Sequence, residues 1–213
     1  MKSPTKSRKG SASLWRTSSL AVAYLYLVEF ADWDGQSALG RGYVDGNSAA
    51  INTGGTDSMT YHTGRAAGTD GKTAIQYRNI ENPWGNVREW RDGIIFNGAN
   101  ICIYLNPSLF KSEYNGAGAT VLSFTRNTAN GYISAWGHDD TSPSIIYPNA
   151  TSGSATTYVP DGCYQSTDVR ALNVGGSWNN GDTAGPFYLY GSNAPTNSNT
   201  YLGSRLQKLP SAA

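Results

Sequence analysis

Short runs of β-forming residues, separated by turns, recur along the chain after residue 72, and they constrain its fold more than any other feature. Each run has three to six residues and is bounded by Gly, Asn, Pro or Asp. The eight runs are Thr73 to Tyr77, Ile101 to Leu105, Thr120 to Phe124, Tyr132 to Trp136, Thr156 to Val159, Leu172 to Val174, Phe187 to Tyr190 and Tyr201 to Leu206. This pattern predicts irregular strands joined by many loops.

One helix is predicted before these strands. Apolar residues recur there at helical spacing, with two candidate N-caps and one candidate C-cap. The apolar positions are Leu20, Ala23, Tyr24, Leu27, Val28 and Ala31, the N-caps Ser18 and Ser19, and the C-cap Gly35. The run contains Glu29 and is far shorter than the ~20 residues needed to cross a bilayer, so we expect a buried helix and no membrane insertion. Residues 36–72 are Gly-rich and predicted as loops, which makes the expected class α+β.

Composition indicates a folded chain of one domain. Gly, Ser, Thr and Asn make up 85 of the 213 residues, and the aromatic content of 12% is nearly as high as the charged content of 15%. Low charge with many aromatic residues argues against disorder. We therefore expect a single domain over residues 17–213, preceded by a basic, flexible tether over residues 1–16.

The charge distribution argues against nucleic acid as a partner. The formal net charge is +1, but five basic residues lie within residues 1–16 and precede the first acidic residue, Glu29. Without that segment, 11 basic and 15 acidic residues remain, a net charge of −4. A body of this sign lacks the basic surface that binds a phosphate backbone.

Candidate catalytic or metal-binding groups are few. His62 and His138 are the only histidines, and His138-Asp139-Asp140 is interpreted as a polar turn, because a nucleophile and its base need spatial contact and not adjacency in sequence. The acid pairs Asp32 with Asp34 and Glu89 with Asp92 could serve glycoside hydrolysis or hold calcium, but neither spacing is diagnostic. The two cysteines, Cys102 and Cys163, match no metal-ligand spacing. We therefore do not expect an enzyme.

The segment from Ala171 to Ser204 has the composition of a binding loop. It carries one charged residue, Asp182, and five aromatic rings among Ser, Gly, Asn and Thr. Tyr and Trp supply wide contact area at low entropy cost, and the small polar residues supply adaptable hydrogen bonds. Alternation along a strand predicts Phe187 and Leu189 inward and Tyr188 and Tyr190 outward. The alternative is that these rings belong to the core.

Three motifs, in this order, carry a resemblance to a known fold. The segment from Tyr24 to Gly42 is similar to the helix that opens phage versions of it, and Glu81 to Trp90 (ENPWGNVREW) resembles its G-N-V-x-E-W signature. The third motif is Val174 to Gly181 (VGGSWNNG), followed by Ala184-Gly185, Asn193-Ala194-Pro195, Asn197 and Gly203-Ser204-Arg205. Together they resemble the C-type-lectin fold over most of residues 20–209. The resemblance implies irregular, short-stranded antiparallel sheets with one or two helices and long loops.

Two groups of proteins with that fold have a C-terminal segment of this kind, and the two groups differ in function. The formylglycine-generating enzymes bind copper through a cysteine pair near their ending, whereas this chain has no cysteine beyond Cys163. The variable proteins of diversity-generating retroelements, among them receptor-binding proteins of phage tail fibres, are randomised at template adenines, chiefly in AAC codons, which never become Lys, Glu, Gln, Met or Trp. Gly175 to Arg205 contains no Lys, Glu, Gln or Met, and its Trp178 belongs to the fixed motif. The resemblance to the second group implies a virion protein, homotrimeric on a tail fibre, that binds a host cell-surface protein or glycan.

The resemblance also assigns roles to residues. Nine residues between or beside the fixed motif positions are the predicted ligand contacts: Asn179, Asn180, Asp182, Thr183, Pro186, Tyr188, Tyr190, Ser192 and Asn193. The predicted scaffold residues are Glu81, Trp84, Asn86, Glu89, Trp90, Trp178 and Arg205, with Gly175, Gly176, Gly185 and Gly203 at turns or close approaches. No cofactor is expected, and the only metal that the resemblance leaves room for is calcium near Asn86 and Glu89. An oxidase or hydrolase, and a purely structural virion protein, remain the alternatives.

Overall fold

Strands dominate the computed structural model, which describes residues 18–46, 48–105, 109–110, 117–143 and 145–205. They account for 36% of the residues, against 10% in helices. The expected α+β class, and the C-type-lectin-like arrangement with it, is therefore wrong, because the chain is mostly β. The predicted tether, residues 1–16, lies outside the described residues.

In the described part of the chain, two α-helices precede all of the strands. They are α1 (Ser18–Phe30) and α2 (Gly35–Ala38). The strands are β1 (Gly64–Arg65), β2 (Ile75–Tyr77), β3 (Ile80–Glu81), β4 (Arg88–Asn97), β5 (Asn100–Ile103), β6 (Thr120–Thr125), β7 (Gly131–Ile133), β8 (Ala135–His138), β9 (Ile146–Ala150), β10 (Val159–Gln165), β11 (Arg170–Val174), β12 (Leu189–Asn193) and β13 (Leu202–Gly203). A short 3₁₀ turn, Gly181–Thr183, lies between β11 and β12.

The main sheet is a curled half-barrel that brings distant parts of the chain together. Its strand order is β6-β5-β4-β11-β12-β10-β7, and β13 pairs with the start of β4. Most neighbours are antiparallel, but β12 runs parallel to β10 and β13 runs parallel to β4. The C-terminal segment therefore supplies two strands, one beside β10 and one beside β4.

The hydrophobic core lies between the main sheet and α1. Phe96 on β4 packs edge-on against Tyr147 on β9, with ring centroids 5.2 Å apart. Tyr26 of α1 packs against Trp84, with centroids 5.9 Å apart, and all four of these residues are at most 2% exposed. Residues of α1 and of several strands thus belong to one hydrophobic cluster.

The prediction of a helix at this point in the chain is confirmed, but its buried face and its end are not as expected. Ala23 and Tyr26 face the core, whereas Val28 is 84% exposed, so α1 is only half-buried. The helix ends at Phe30 and not near Gly35, because Ala31 adopts φ +52°, in the left-handed region. The predicted N-caps, Ser18 and Ser19, are the first two residues of α1.

Gly35 opens α2 and brings it close to the C-terminal segment. Asp34 caps this helix by accepting hydrogen bonds from the N–H groups of Gln36 and Ser37. A Cβ on Gly35 would lie 2.4 Å from Cδ of Pro186, so only glycine permits this approach. The start of the domain therefore supports the loop that precedes β12.

Candidate functional site

The chain leaves β11 through two glycines that turn it over the sheet. Gly175 and Gly176 have φ of +85° and +76°, a conformation that favours glycine. A Cβ on Gly176 would lie 2.6 Å from Cβ of Ala184. The N–H group of Gly85 donates to the carbonyl of Gly175 (2.9 Å), which joins the second motif to the third. The predicted role of these two glycines as backbone turns is confirmed.

The two other glycines of the motif serve close approaches, as predicted. A Cβ on Gly185 would lie 2.2 Å from a carboxylate oxygen of Asp161, and one on Gly203 would lie 2.9 Å from Cγ2 of Val87. Both positions therefore exclude larger residues. The C-terminal motif is thus a set of tight contacts that fix the path of this segment.

Arg88, the first residue of β4, forms the centre of an aromatic cluster. Its guanidinium carbon lies 4.1 Å from the ring centroid of Tyr190, 5.0 Å from that of Tyr201 and 5.7 Å from that of Tyr188. Its Nε and Nη2 both donate to Oδ1 of Asn180, at 3.2 and 3.1 Å. A cation among aromatic rings is attracted by the negative charge of their faces. Three separate parts of the chain thus converge on one side chain.

Strands β10 and β7 each place one further tyrosine beside this cluster. Tyr164 pairs with Tyr190 in the parallel β10–β12 ladder, and their ring centroids lie 6.1 Å apart. Tyr132 on β7 pairs with Gly162, two residues before Tyr164 and hence on the same side of the sheet. All of these rings are partly exposed. We call this group the tyrosine face: Arg88, Tyr132, Tyr164, Tyr190 and Tyr201.

Two of the nine predicted ligand contacts are buried. Tyr188 is 0% exposed and Asn193 is 4% exposed. The prediction that Tyr188 points outward is wrong, because β12 begins only at Leu189 and the strand alternation does not extend back to Phe187 and Tyr188. The amide of Asn193 donates to Oδ1 of Asn173 (2.7 Å) and holds two strands together.

The other seven predicted contacts divide into surface residues and loop supports. Asn179 and Asp182 are exposed, while Asn180, Thr183, Pro186, Tyr190 and Ser192 are partly buried. Oδ1 of Asn180 accepts from both the N–H and the hydroxyl of Ser177 (2.8 Å each), in addition to Arg88. Asn180 therefore organises the loop, and Asn179, Asp182 and Tyr190 are the members with most freedom to meet a ligand.

The loop between β11 and β12 is held from behind by α2. Nε2 of Gln36 donates to the carbonyls of Gly181 and Ala184, at 2.8 Å each. Oε1 of Gln36 accepts from Arg41 (2.9 Å), which also pairs with Asp45 (3.0 Å). The loop therefore has a fixed backbone, as a pre-organised binding surface requires.

A buried carboxyl group holds the start of β12. Asp161 on β10 is 1% exposed, and its Oδ2 accepts from the N–H of Phe187 (2.6 Å). Burial raises the pKa of this carboxyl well above its usual value, and the nearby carboxylate of Asp34 acts in the same direction. The packing beneath the tyrosine face therefore contains a proton-binding group.

Burial affects the hydroxyl groups of two tyrosines in and beside the tyrosine face. Burial raises the pKa of Tyr188 above its usual value, and burial together with the charge of Asp182 raises that of Tyr132. Both hydroxyls therefore keep their protons at neutral pH and can each donate and accept a hydrogen bond.

Sequence reasoning did not identify most of this surface. Arg88, Tyr132 and Tyr164 come from β4, β7 and β10, and only strand pairing brings them beside Tyr190. Tyr201 is one of the five aromatic rings of the C-terminal segment, but it is not among the nine predicted ligand contacts. Gly162 is one local signal of this arrangement. A Cβ at this position would lie 2.7 Å from the ring of Tyr164, so glycine leaves the space that the ring occupies.

The predicted scaffold residues form a support next to this surface. Trp84 is 1% exposed, and the amide of Asn86 bonds to both backbone groups of Ile51. Glu89 pairs with Arg91 (3.1 Å) and with Arg205, which links β13 to β4. The carboxylate and amide groups considered for calcium thus already have protein partners. Within the described ranges, no group of three or more His, Cys, Asp or Glu residues could hold a metal ion.

An open groove of about 820 Å³ lies beside β6 and β8, with His138 on its rim. Nε2 of His138 is 3.6 Å from Oδ1 of Asp140, and both side chains are exposed. The neighbouring Asp139 accepts from the N–H group of Ser123 (2.7 Å) and from the hydroxyl of Thr141 (2.6 Å), and these bonds lower the pKa of its carboxyl to about 2. These contacts form a polar turn, as interpreted from the sequence.

Comparisons with known proteins assign no family. No protein-family model and no curated protein matches the chain. In the described part of the chain, no helix is both long enough and apolar enough to cross a membrane. The tyrosine face is therefore interpreted from its own geometry.

Proposed function

We propose that this protein is a receptor-binding or display domain of a phage virion, and that the tyrosine face is its ligand surface. The observation that carries the proposal is the packing of two partly exposed tyrosines, Tyr190 and Tyr201, around Arg88, with Tyr164 beside Tyr190. Tyrosine and arginine are the residues that contribute most at binding hot spots. The exposed Asn179 and Asp182 add polar groups from the adjoining loop.

The rigid backbone that carries the tyrosine face favours specific recognition over nonspecific adhesion. The tyrosines lie on paired strands, and the adjoining loop is held by Gln36 and Asp161. Rings that are already fixed lose little conformational entropy on binding. The surface is thus suited to a macromolecular ligand that it meets without rearrangement.

Diversification of the C-terminal segment is the second part of the proposal. The exposed or partly exposed positions Asn179, Asp182 and Tyr190 carry residue types that adenine-directed randomisation can produce, whereas the tight glycine turns are fixed by sterics. A near-copy of the codons for residues 175–205 beside a reverse transcriptase gene, differing at adenines, is the expected genomic arrangement. A locus with neither would remove this part of the proposal.

Binding to host cells tests the main proposal. We expect Tyr190→Ser and Tyr164→Ser to abolish binding of the multimerised chain to a bacterial strain that the wild type binds. Tyr158→Ser is the matched control, because Tyr158 is 70% exposed and lies outside the tyrosine face. Equal binding by all three variants would refute the proposal.

The oxidase alternative would require an accessible Cys163. That residue is 0% exposed, and burial raises the pKa of its thiol to about 12. A neutral, enclosed thiol is a poor nucleophile and a poor metal ligand. Recognition is therefore the function that the geometry favours.

A further inference from the structure

Arg88 is a buried cation without a counter-ion. It is 9% exposed, and among the described residues no carboxylate lies within 4.0 Å of its guanidinium group. Arg91 on β4 and Arg205, two residues after β13, both pair with Glu89. Buried charged groups are almost always paired, so an unpaired one at a surface cluster suggests that a ligand supplies the partner.

The geometry of the guanidinium group shows where that partner would bind. Asn180 occupies the edge formed by Nε and Nη2, which its Oδ1 bridges. The edge formed by Nη1 and Nη2 remains, and within the part of the chain that the structure describes it has no acceptor. A carboxylate matches this edge, because its two oxygens accept two parallel N–H groups.

We propose that the tyrosine face receives an acidic side chain of a protein partner, whose carboxylate accepts hydrogen bonds from Nη1 and Nη2 of Arg88. The proposal rests on the function proposed above and names the chemistry of its ligand. A protein is favoured over an acidic glycan because tyrosines around an arginine are typical of the centre of protein interfaces. The rings of Tyr190 and Tyr201 would exclude water from the ion pair and so strengthen it.

The test uses small probes and the intact chain. Capped glutamate (N-acetyl-glutamate methylamide), its glutamine analogue and glucuronate are titrated separately while the ¹H–¹⁵N signal of Arg88 Nε–Hε is followed. We expect a saturable shift with capped glutamate and an affinity about tenfold weaker for its glutamine analogue, since charge-assisted hydrogen bonds are about twice as strong as neutral ones. Glucuronate carries the same carboxylate on a sugar ring, and we expect it to bind no more tightly than capped glutamate. Equal affinity for glutamate and glutamine, or no saturable shift, would overturn the proposal. Tighter binding of glucuronate would overturn its choice of a protein partner.

Two single substitutions separate Arg88 from general surface charge. Asn180→Asp supplies an internal carboxylate to Arg88 and keeps the acceptor of Ser177, so we expect it to weaken capped-glutamate binding about tenfold. Asn179→Asp adds the same charge at an exposed neighbouring position and is expected to change binding less than twofold. Equal weakening by both would contradict a role for Arg88, and the wild-type titration decides the question if Asn180→Asp does not fold.

The two proposals can fail separately. If Tyr190→Ser abolishes cell binding while capped glutamate and glutamine bind alike, the ligand surface stands and its acidic partner does not. If the carboxylate probe binds as expected but Tyr190→Ser leaves cell binding unchanged, the anion site stands and the proposed function does not.

Discussion

Replacing Tyr188 by alanine tests whether the loop before β12 belongs to the core. The ring is fully buried and lies 5.9 Å from the ring of Tyr164, centroid to centroid. Truncating a buried aromatic side chain costs about 3–5 kcal/mol, through lost burial and the cavity left behind. In a domain of this size each kcal/mol lowers Tm by about 2–4 °C, so the expected decrease is about 6–20 °C.

Three companion variants make the stability measurement specific. Tyr188→Phe keeps the ring and loses only the bond from Asn180 Nδ2 (3.2 Å), which is worth about 0.5–1.5 kcal/mol. Tyr190→Ala loses mainly its stacking on Arg88, about 1 kcal/mol. Tyr158→Ala, at a 70% exposed position, should change stability by no more than about 0.5 kcal/mol.

Urea denaturation followed by circular dichroism gives the free energy of unfolding of each variant. The expected order of destabilisation is Tyr188→Ala far above Tyr190→Ala, with Tyr158→Ala near the wild type. A cost below about 1 kcal/mol for Tyr188→Ala would mean that the ring is not part of the core, since that is the range of surface substitutions.

Three further substitutions test the support of the tyrosine face. Gly35→Ala should cost about 1–3 kcal/mol in urea denaturation, because its Cβ would clash with Pro186, and an unchanged stability would contradict that contact. Glu89→Ala should cost about 3–5 kcal/mol in the same assay, because it leaves Arg91 buried without its partner; a neutral result would show that the pair is dispensable. Burial raises the pKa of Asp161 above its unfolded value of about 3.9, so its contribution to stability is present below that pH and is lost as the pH rises. Asp161→Asn should therefore gain stability relative to wild type as the pH rises above about 4, and the opposite slope would mean that the carboxyl is held ionised.

Local patterns predicted the short apolar strands better than the polar ones. The runs at Thr73, Ile101, Thr120 and Leu172 correspond to β2, β5, β6 and β11. The longest strand, β4, was missed because it starts with four charged residues in its first five, which propensity assigns to loops. In the folded protein Glu89 forms ion pairs with Arg91 and Arg205, which offset the low strand propensity of these charged residues. No local sequence pattern predicts these ion pairs.

The candidate site shows the same limit. The glycine turns at Gly175 and Gly176 followed from the sequence, because a left-handed backbone favours glycine regardless of context. The orientation of Tyr188 did not, because it depends on where β12 begins. Arg88 became part of the site through the β4–β13 pairing, which joins residues more than 100 positions apart. Long-range register is the information that a single sequence lacks.

Tyrosine-specific chemical labelling of the free and the cell-bound protein tests most directly whether the tyrosine face is the recognition surface. In the free protein we expect Tyr61 and Tyr158, which are 80% and 70% exposed, to react fastest, and Tyr188 not to react. On binding, Tyr132, Tyr164, Tyr190 and Tyr201 should be protected while Tyr61 and Tyr158 stay reactive. Unchanged labelling of those four rings, with protection elsewhere, would contradict the proposed surface.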